Sequence, residues 1–120
     1  MDQKQKVDAA IEAHTKWITR LRVAIDNGTS EFQPAVVKTD NACEFGKWLY
    51  ADFPAALKGS PLFNEIRDLH ATFHANAGRI LEQALAGKKA EAMKDLDSDS
   101  AFRKSSLRLI GLLKTLKEQV

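Results

Sequence analysis

The chain has one cysteine, Cys43, and three histidines, His14, His70 and His74. They are its only strong soft-to-borderline metal donors, and one Cys with three His makes a complete tetrahedral zinc shell. His70 and His74 are four residues apart, which on a helix puts both imidazoles on one face with Cβ atoms about 5–6 Å apart. Two side chains of that reach can share one ion. Taken alone, each signal has a plain structural explanation. A His-x-x-x-His pair can be two half-buried histidines, a single His on an apolar seam can be a hydrogen-bonded core residue, and a free Cys can act as a small hydrophobe. The set gains weight because each member falls on the inward side of a predicted element. Zinc is the metal expected, since it takes mixed nitrogen and sulfur donors and needs no oxygen ligands. Three neutral imidazoles and one thiolate around Zn²⁺ leave a net charge of +1, and Asp40 is the carboxylate expected to offset it.

Helical periodicity supplies the elements that would position these residues. Val7, Ile11, His14, Ile18, Leu21 and Ile25 recur at spacings of four and three, as on the seam of a long amphipathic helix stopped by Asn27-Gly28. Residues 28–39 contain Gly, Thr, Ser and Pro34 and predict a connector. Asp40 or Asn41 is expected to cap a short helix with Cys43 in its first turn. Phe45, Trp48 and Leu49 follow on that helix, Gly46 permits close backbone approach, and Pro54 ends it. Ser60-Pro61 is a start signal for a second long helix carrying Ile66, His70, Phe73, His74, Ala77, Ile80 and Ala84, with Gly87 as its stop. Gly78 inside that helix predicts close packing against a neighbour. A fourth helix is expected from about Ala90 to the end, with Met93, Leu96, Phe102, Leu109, Leu113 and Leu116 facing in. Trp17 and Trp48 are expected to pack around the site. No β-type alternation occurs. The prediction is one all-α domain over residues 1–120, an antiparallel four-helix bundle of three long helices and one short helix carrying the cysteine.

The totals agree with such a domain. Its 120 residues, 44% hydrophobic and 28% charged, suit one soluble globular unit with a core of its own. A net charge of +2 gives no reason to expect nucleic acid or an anionic membrane as partner. No apolar run reaches the ~18 residues of a membrane span. The stretch Met1–Lys6 lacks a signal peptide's apolar segment, and a single cysteine cannot close an intrachain disulfide. A cytoplasmic location is therefore expected.

Several other motifs fail on inspection. Asp95-x-Asp97-x-Asp99 starts like a calcium loop, but Ser100 and Ser106 occupy the positions of its glycine and its bidentate glutamate. That run is expected to be a solvated acidic face. Residue 71 is Ala where a zinc protease helix carries its general base. The chain contains no Gly-rich phosphate loop and no haem-attachment motif.

Three stretches, His14-Thr-Lys-Trp17, Cys43-Glu-Phe-Gly-Lys-Trp48-Leu49, and His70-x-x-x-His74 with Gly78-Arg79, resemble the chemoreceptor zinc-binding domain. The motifs come in that family's order and span nearly the whole chain. The resemblance implies a four-helix bundle, zinc held by His14, Cys43, His70 and His74, and a homodimer. It further implies a signalling partner such as a chemoreceptor or a diguanylate cyclase, whose output follows zinc or an oxidant acting at the zinc-bound cysteine. No receptor or cyclase sequence lies within these 120 residues, so the output is expected to pass through a partner or through a longer chain. An enzyme is not expected, because four protein donors leave zinc no open position for water or substrate. The competing readings are a zinc-stabilised interaction module without sensing and a small metalloenzyme with Cys43 merely nearby. The latter would need a general base beside the histidines, and the sequence offers none. Cys43, on a short element between two connectors, is expected to be the ligand released first, with Asn41–Phe53 as the segment that moves.

Overall fold

The computed structural model describes residues 2–120, and every regular element among them is helical. Helix α1 spans Gln3–Asn27. It opens on a capping box in which Asp2 and Gln5 satisfy each other's backbone N–H groups, and it stops at Gly28, whose φ of 70° is left-handed. Its most buried line is Val7, Ala10, His14, Trp17, Leu21, Ala24 and Ile25, with Ile11 and Ile18 half-buried on one flank.

The stretch expected to be a plain connector contains one helical turn, α2 (Pro34–Val37). Proline at its first position has the φ a helix needs and lacks only an N–H that would have gone unbonded. Helix α3 spans Glu44–Ala51. Cys43 itself is its N-cap, not Asp40 or Asn41 as the sequence suggested, and the thiol sulfur accepts the Gly46 N–H at 3.3 Å. Sulfur thus takes the place of the usual cap oxygen, and the cysteine stands just before the first turn. The helix ends three residues ahead of Pro54, and a 3₁₀ turn over Ala55–Leu57 leads on. Ser60 accepts the Phe63 N–H at 3.1 Å and Pro61 is the first residue of α4 (Pro61–Leu85), as expected. Gly87, at φ 78°, turns the chain after it.

The fourth long helix is interrupted. Helix α5 covers Lys89–Leu96 and α6 covers Ala101–Gln119. Asp97 leaves the helix at ψ 154°, and the Ser100 hydroxyl accepts the Arg103 N–H at 3.1 Å to start a new one. The expected single helix from Ala90 onward is therefore wrong. So is the inward Met93, which is 39% exposed on α5. Asp97 is exposed, as expected of the acidic run, whereas the half-buried Asp95 accepts the Gln83 side-chain amide at 3.1 Å.

Long side chains register the helices. Phe102, near the start of α6, lies 5.1 Å from the Phe73 ring of α4, and Arg108 further along α6 reaches back to Glu65 at 2.6 Å. Lys117 near the end of α6 pairs with Asp8 near the start of α1 at 2.9 Å. The shared core holds Leu21, Ile66, Phe73, Ile80, Phe102 and Leu113, each at most 1% exposed. Full burial of such a side chain stabilises by about 1.5–3 kcal/mol. No helix among the described residues is long and apolar enough to cross a membrane.

Candidate metal centre

Three separate elements deliver the four donors. His14 points inward from the middle of α1, Cys43 stands at the N-cap of α3, and His70 and His74 lie one turn apart on the buried face of α4. The three imidazoles are only 2%, 0% and 3% exposed respectively. One nitrogen or sulfur from each of the four residues falls within 4.8 Å of all the others. The structure thus brings together every candidate ligand named from the sequence.

The ring orientations say which atoms are offered. His14 Nδ1 lies 2.7 Å from the Ala10 carbonyl and His74 Nδ1 lies 3.0 Å from the Val37 carbonyl. A carbonyl only accepts, so both Nδ1 atoms carry the proton and both Nε2 atoms present a lone pair. His14 Nε2 is buried without a hydrogen-bond partner, as expected of a donor aimed at a metal. The third imidazole, of His70, places Nε2 3.1 Å from His74 Nε2 and 3.3 Å from Cys43 Sγ. A tetrahedral zinc with ordinary bond lengths has N–N edges of about 3.3 Å and N–S edges of about 3.6 Å. These two edges lie near those values, and with all four donors within 4.8 Å of one another the set is compatible with a single zinc ion.

Protonation favours the same occupant. Burial pushes His14 down to about 4, against a smaller opposing effect of the Ala10 carbonyl. Burial, with the neighbouring imidazoles of His14 and His74, pushes His70 down to about 2. His74 is lowered too, chiefly by burial. All three rings are neutral at pH 7, the form that binds metal. Burial pushes the Cys43 thiol up, and the N–H groups of Gly46 and Phe45 at the helix start only partly offset this. The helix terminus alone does not make a free thiolate here; a cation would. The Asp40 carboxylate, expected as a counter-charge, accepts a hydrogen bond from the Tyr50 hydroxyl and pushes that phenol up to about 12.

Aromatic rings flank the histidines. Phe45 stands 5.0 Å from the His70 ring and Phe73 stands 5.0 Å from the His14 ring. Trp48 lies beside the site in the α1–α3 cleft, where its indole N–H donates to Gln3 at 2.8 Å. Trp17 does not pack there; its ring is 4.9 Å from that of Phe32. Sequence reasoning missed the two carbonyls that orient His14 and His74. Ala10 sits four residues before His14 on the same helix, so helical geometry could have revealed it. The Val37 carbonyl had no signal, because it is a backbone atom brought in from α2.

The family comparison points the same way. The model of the chemoreceptor zinc-binding domain matches residues 14–81, more than half of the chain and all four candidate donors. The chain belongs to this family. Zinc is its metal, and the cluster of three histidines and one cysteine is compatible with it. No curated protein and no solved structure gives a significant match.

Within this zinc-binding domain, Gly78 positions His74 at second hand. An added Cβ at Gly78 would meet the Lys38 side chain, and it would stand 3.1 Å from both the Lys38 nitrogen and the Pro34 carbonyl of α2. A larger residue would press α2 back by a few tenths of an ångström, and with it the Val37 carbonyl that holds His74. Gly78→Ala should strengthen the isolated helix. It should nonetheless weaken zinc binding by roughly 10–100-fold, the usual cost of losing such an orienting partner. Competition with a chelating dye measures this, and an unchanged affinity contradicts it.

A second prediction concerns acid. In the unfolded chain the histidines titrate near pH 6.5, and in the metal-free fold His14 titrates at about 4 and His70 at about 2. The unfolded state therefore binds more protons as pH falls below about 6.5. Each histidine kept neutral by the fold then costs up to roughly 1.4 kcal/mol of stability for every further drop of one in pH. Metal-free protein should hold a constant urea midpoint from pH 8 to 7 and lose stability steadily between pH 6.5 and 5. A flat midpoint across that lower range contradicts the buried neutral rings.

Proposed function

We propose that the domain is a regulatory zinc sensor, with one zinc ion bound through His14, Cys43, His70 and His74. The observation that carries this is the convergence of four donor atoms within 4.8 Å, three of them on fully buried imidazoles. Four protein donors leave no position for water or substrate, so the role is regulatory and not catalytic. The family name supports a chemoreceptor-type signalling partner, and a diguanylate cyclase is the alternative. We place the domain in the cytoplasm.

Signal and structure meet at Cys43. It is half-buried and caps α3, so oxidation of the thiolate to sulfenic acid alters a ligand and a helix cap at once, and loss of zinc leaves the sulfur tied by the cap and no longer by the metal. Helix α3 also buries Phe45, Trp48 and Leu49. These anchors limit the change to Asn41–Gly46 more than to the whole segment up to Phe53.

The helices fit an antiparallel bundle, with α6 running against α1 and α4 as the Lys117–Asp8 and Arg108–Glu65 pairs suggest, and α3 as the short fourth member. Leu107, 72% exposed on the outer side of α6, lies one turn from Gly111, where an added Cβ would meet open space. A second copy can bury Leu107 and pack closely at Gly111, which supports a homodimer.

Elemental analysis of the purified protein should find one zinc per chain, lost when His70 and His74 are both replaced by Ala. Stoichiometric zinc in that double variant contradicts the assignment. Light scattering on the zinc-loaded protein should give twice the chain mass, and a value near 13.3 kDa removes the dimer.

A further inference from the structure

A cleft between α1 and α3 reaches the metal centre from one side only. Its volume of about 500 Å³ is that of a small-molecule site. Ala9, Ala10 and Ala13 form the α1 wall, and Phe45 and Trp48 form the α3 wall. At its inner end are His14 and Cys43, whereas His70 and His74 do not line it. His14 is 2% exposed and its Nε2 is buried with no hydrogen-bond partner, so a residue that lines the cleft also carries an unpartnered polar atom of the centre. Cys43 is the only one of the four donor residues that is not fully buried.

The charged lining narrows the ligand class. Lys6 and Lys47 supply two cations, and Glu44 and Asp52 supply two anions. Lys47 and Glu44 are 3.7 Å apart with largely exposed side chains, a pairing worth little, so both remain available to a ligand. A purely anionic or purely cationic ligand would meet two groups of its own sign. A zwitterion can satisfy both signs at once.

We propose that this cleft is a port through which a small zwitterionic chelator, a free amino acid bearing an imidazole or a thiol, exchanges zinc with the centre. The proposal rests on the zinc-centre reading above. A buried site with four protein donors releases its metal slowly when every bond must break unaided. A ligand in the cleft can present a lone pair from the His14–Cys43 side while His70 and His74 still hold. Its donor atom would bond to zinc as the bond from zinc to Cys43 Sγ breaks, the sulfur keeping its electron pair and taking up a proton from solvent in the cleft. No oxidation state changes, and the same steps reversed load the metal. Cys43 is the donor suited to leave, because it stands at a helix cap and not in mid-helix.

Isotope exchange tests this on the intact protein. Zinc-loaded protein is mixed with excess zinc-67 supplied as its complex with free histidine, and the isotope ratio in the gel-filtered protein is followed. In the wild type, exchange should speed up in proportion to histidine, and imidazole, which lacks both charges, should act more weakly at the same concentration. Ala13→Trp and Ala9→Trp fill the cleft from exposed helix positions. Each should slow exchange by about tenfold while one zinc per chain is retained. Val23→Trp, at an exposed α1 position outside this cleft, should exchange like the wild type. Exchange independent of histidine, or equally fast in the filled variants, overturns the port while leaving the zinc centre standing. Equal acceleration by imidazole overturns the zwitterionic ligand. Wild-type protein that holds no zinc overturns the centre and the port together.

Discussion

Three imidazoles and a thiol are packed together where none of them is easily charged. Burial and mutual proximity hold the histidines neutral and the cysteine protonated, and two of the rings are fixed by carbonyls that accept only from Nδ1. Such a cluster contributes little to a core, since the unpartnered nitrogens, His14 Nε2 and His70 Nδ1, cost free energy to bury. A divalent cation reverses that balance. It gives His14 Nε2 the partner it lacks and converts the thiol to the thiolate that burial alone disfavours. The rest of the fold can be understood from this constraint. Helices α1 and α4 carry the histidines rigidly, and the chain between them must bring in the cysteine.

That intervening chain is more organised than a linker. Pro34 starts α2, Gly78 lets it settle on α4, and Lys38 pairs with Glu82. The Val37 carbonyl is thereby delivered to His74. A few residues later the chain caps α3 with the sulfur that completes the donor set. One stretch thus orients one candidate ligand and supplies another, so a shift of α2 would reach the donor cluster through backbone contacts. The cleft beside α3 follows from the same layout. A short helix against an alanine-rich face of α1 leaves space where a long helix with large side chains would leave none.

Much of the centre was legible from residue type and period. Cysteine and histidine are scarce here, and helical spacing alone put His14, His70 and His74 on inward faces. The caps at Gly28 and Ser60 were equally readable, because their chemistry is local. Other features were not. The break between α5 and α6 lies in a stretch whose aspartates and serines suit either an exposed helix face or a turn. The Ser100 hydroxyl decided for the turn by capping a new helix. Four residues of α2 are too few for any periodicity, and its carbonyl on His74 is a tertiary contact. Cys43 as its own helix cap was obscured by Asp40 and Asn41, which are stronger cap formers by type. Here the sulfur's position at the cluster prevailed over intrinsic preference.

Zinc K-edge X-ray absorption of the purified, zinc-loaded protein tests the central claim most directly, because it reads the donor atoms themselves. The account predicts four-coordinate zinc with one sulfur at about 2.3 Å and three imidazole nitrogens at about 2.0 Å, with the outer-shell pattern of imidazole rings. A first shell without sulfur, or one with fewer than three imidazoles and oxygen in their place, contradicts it.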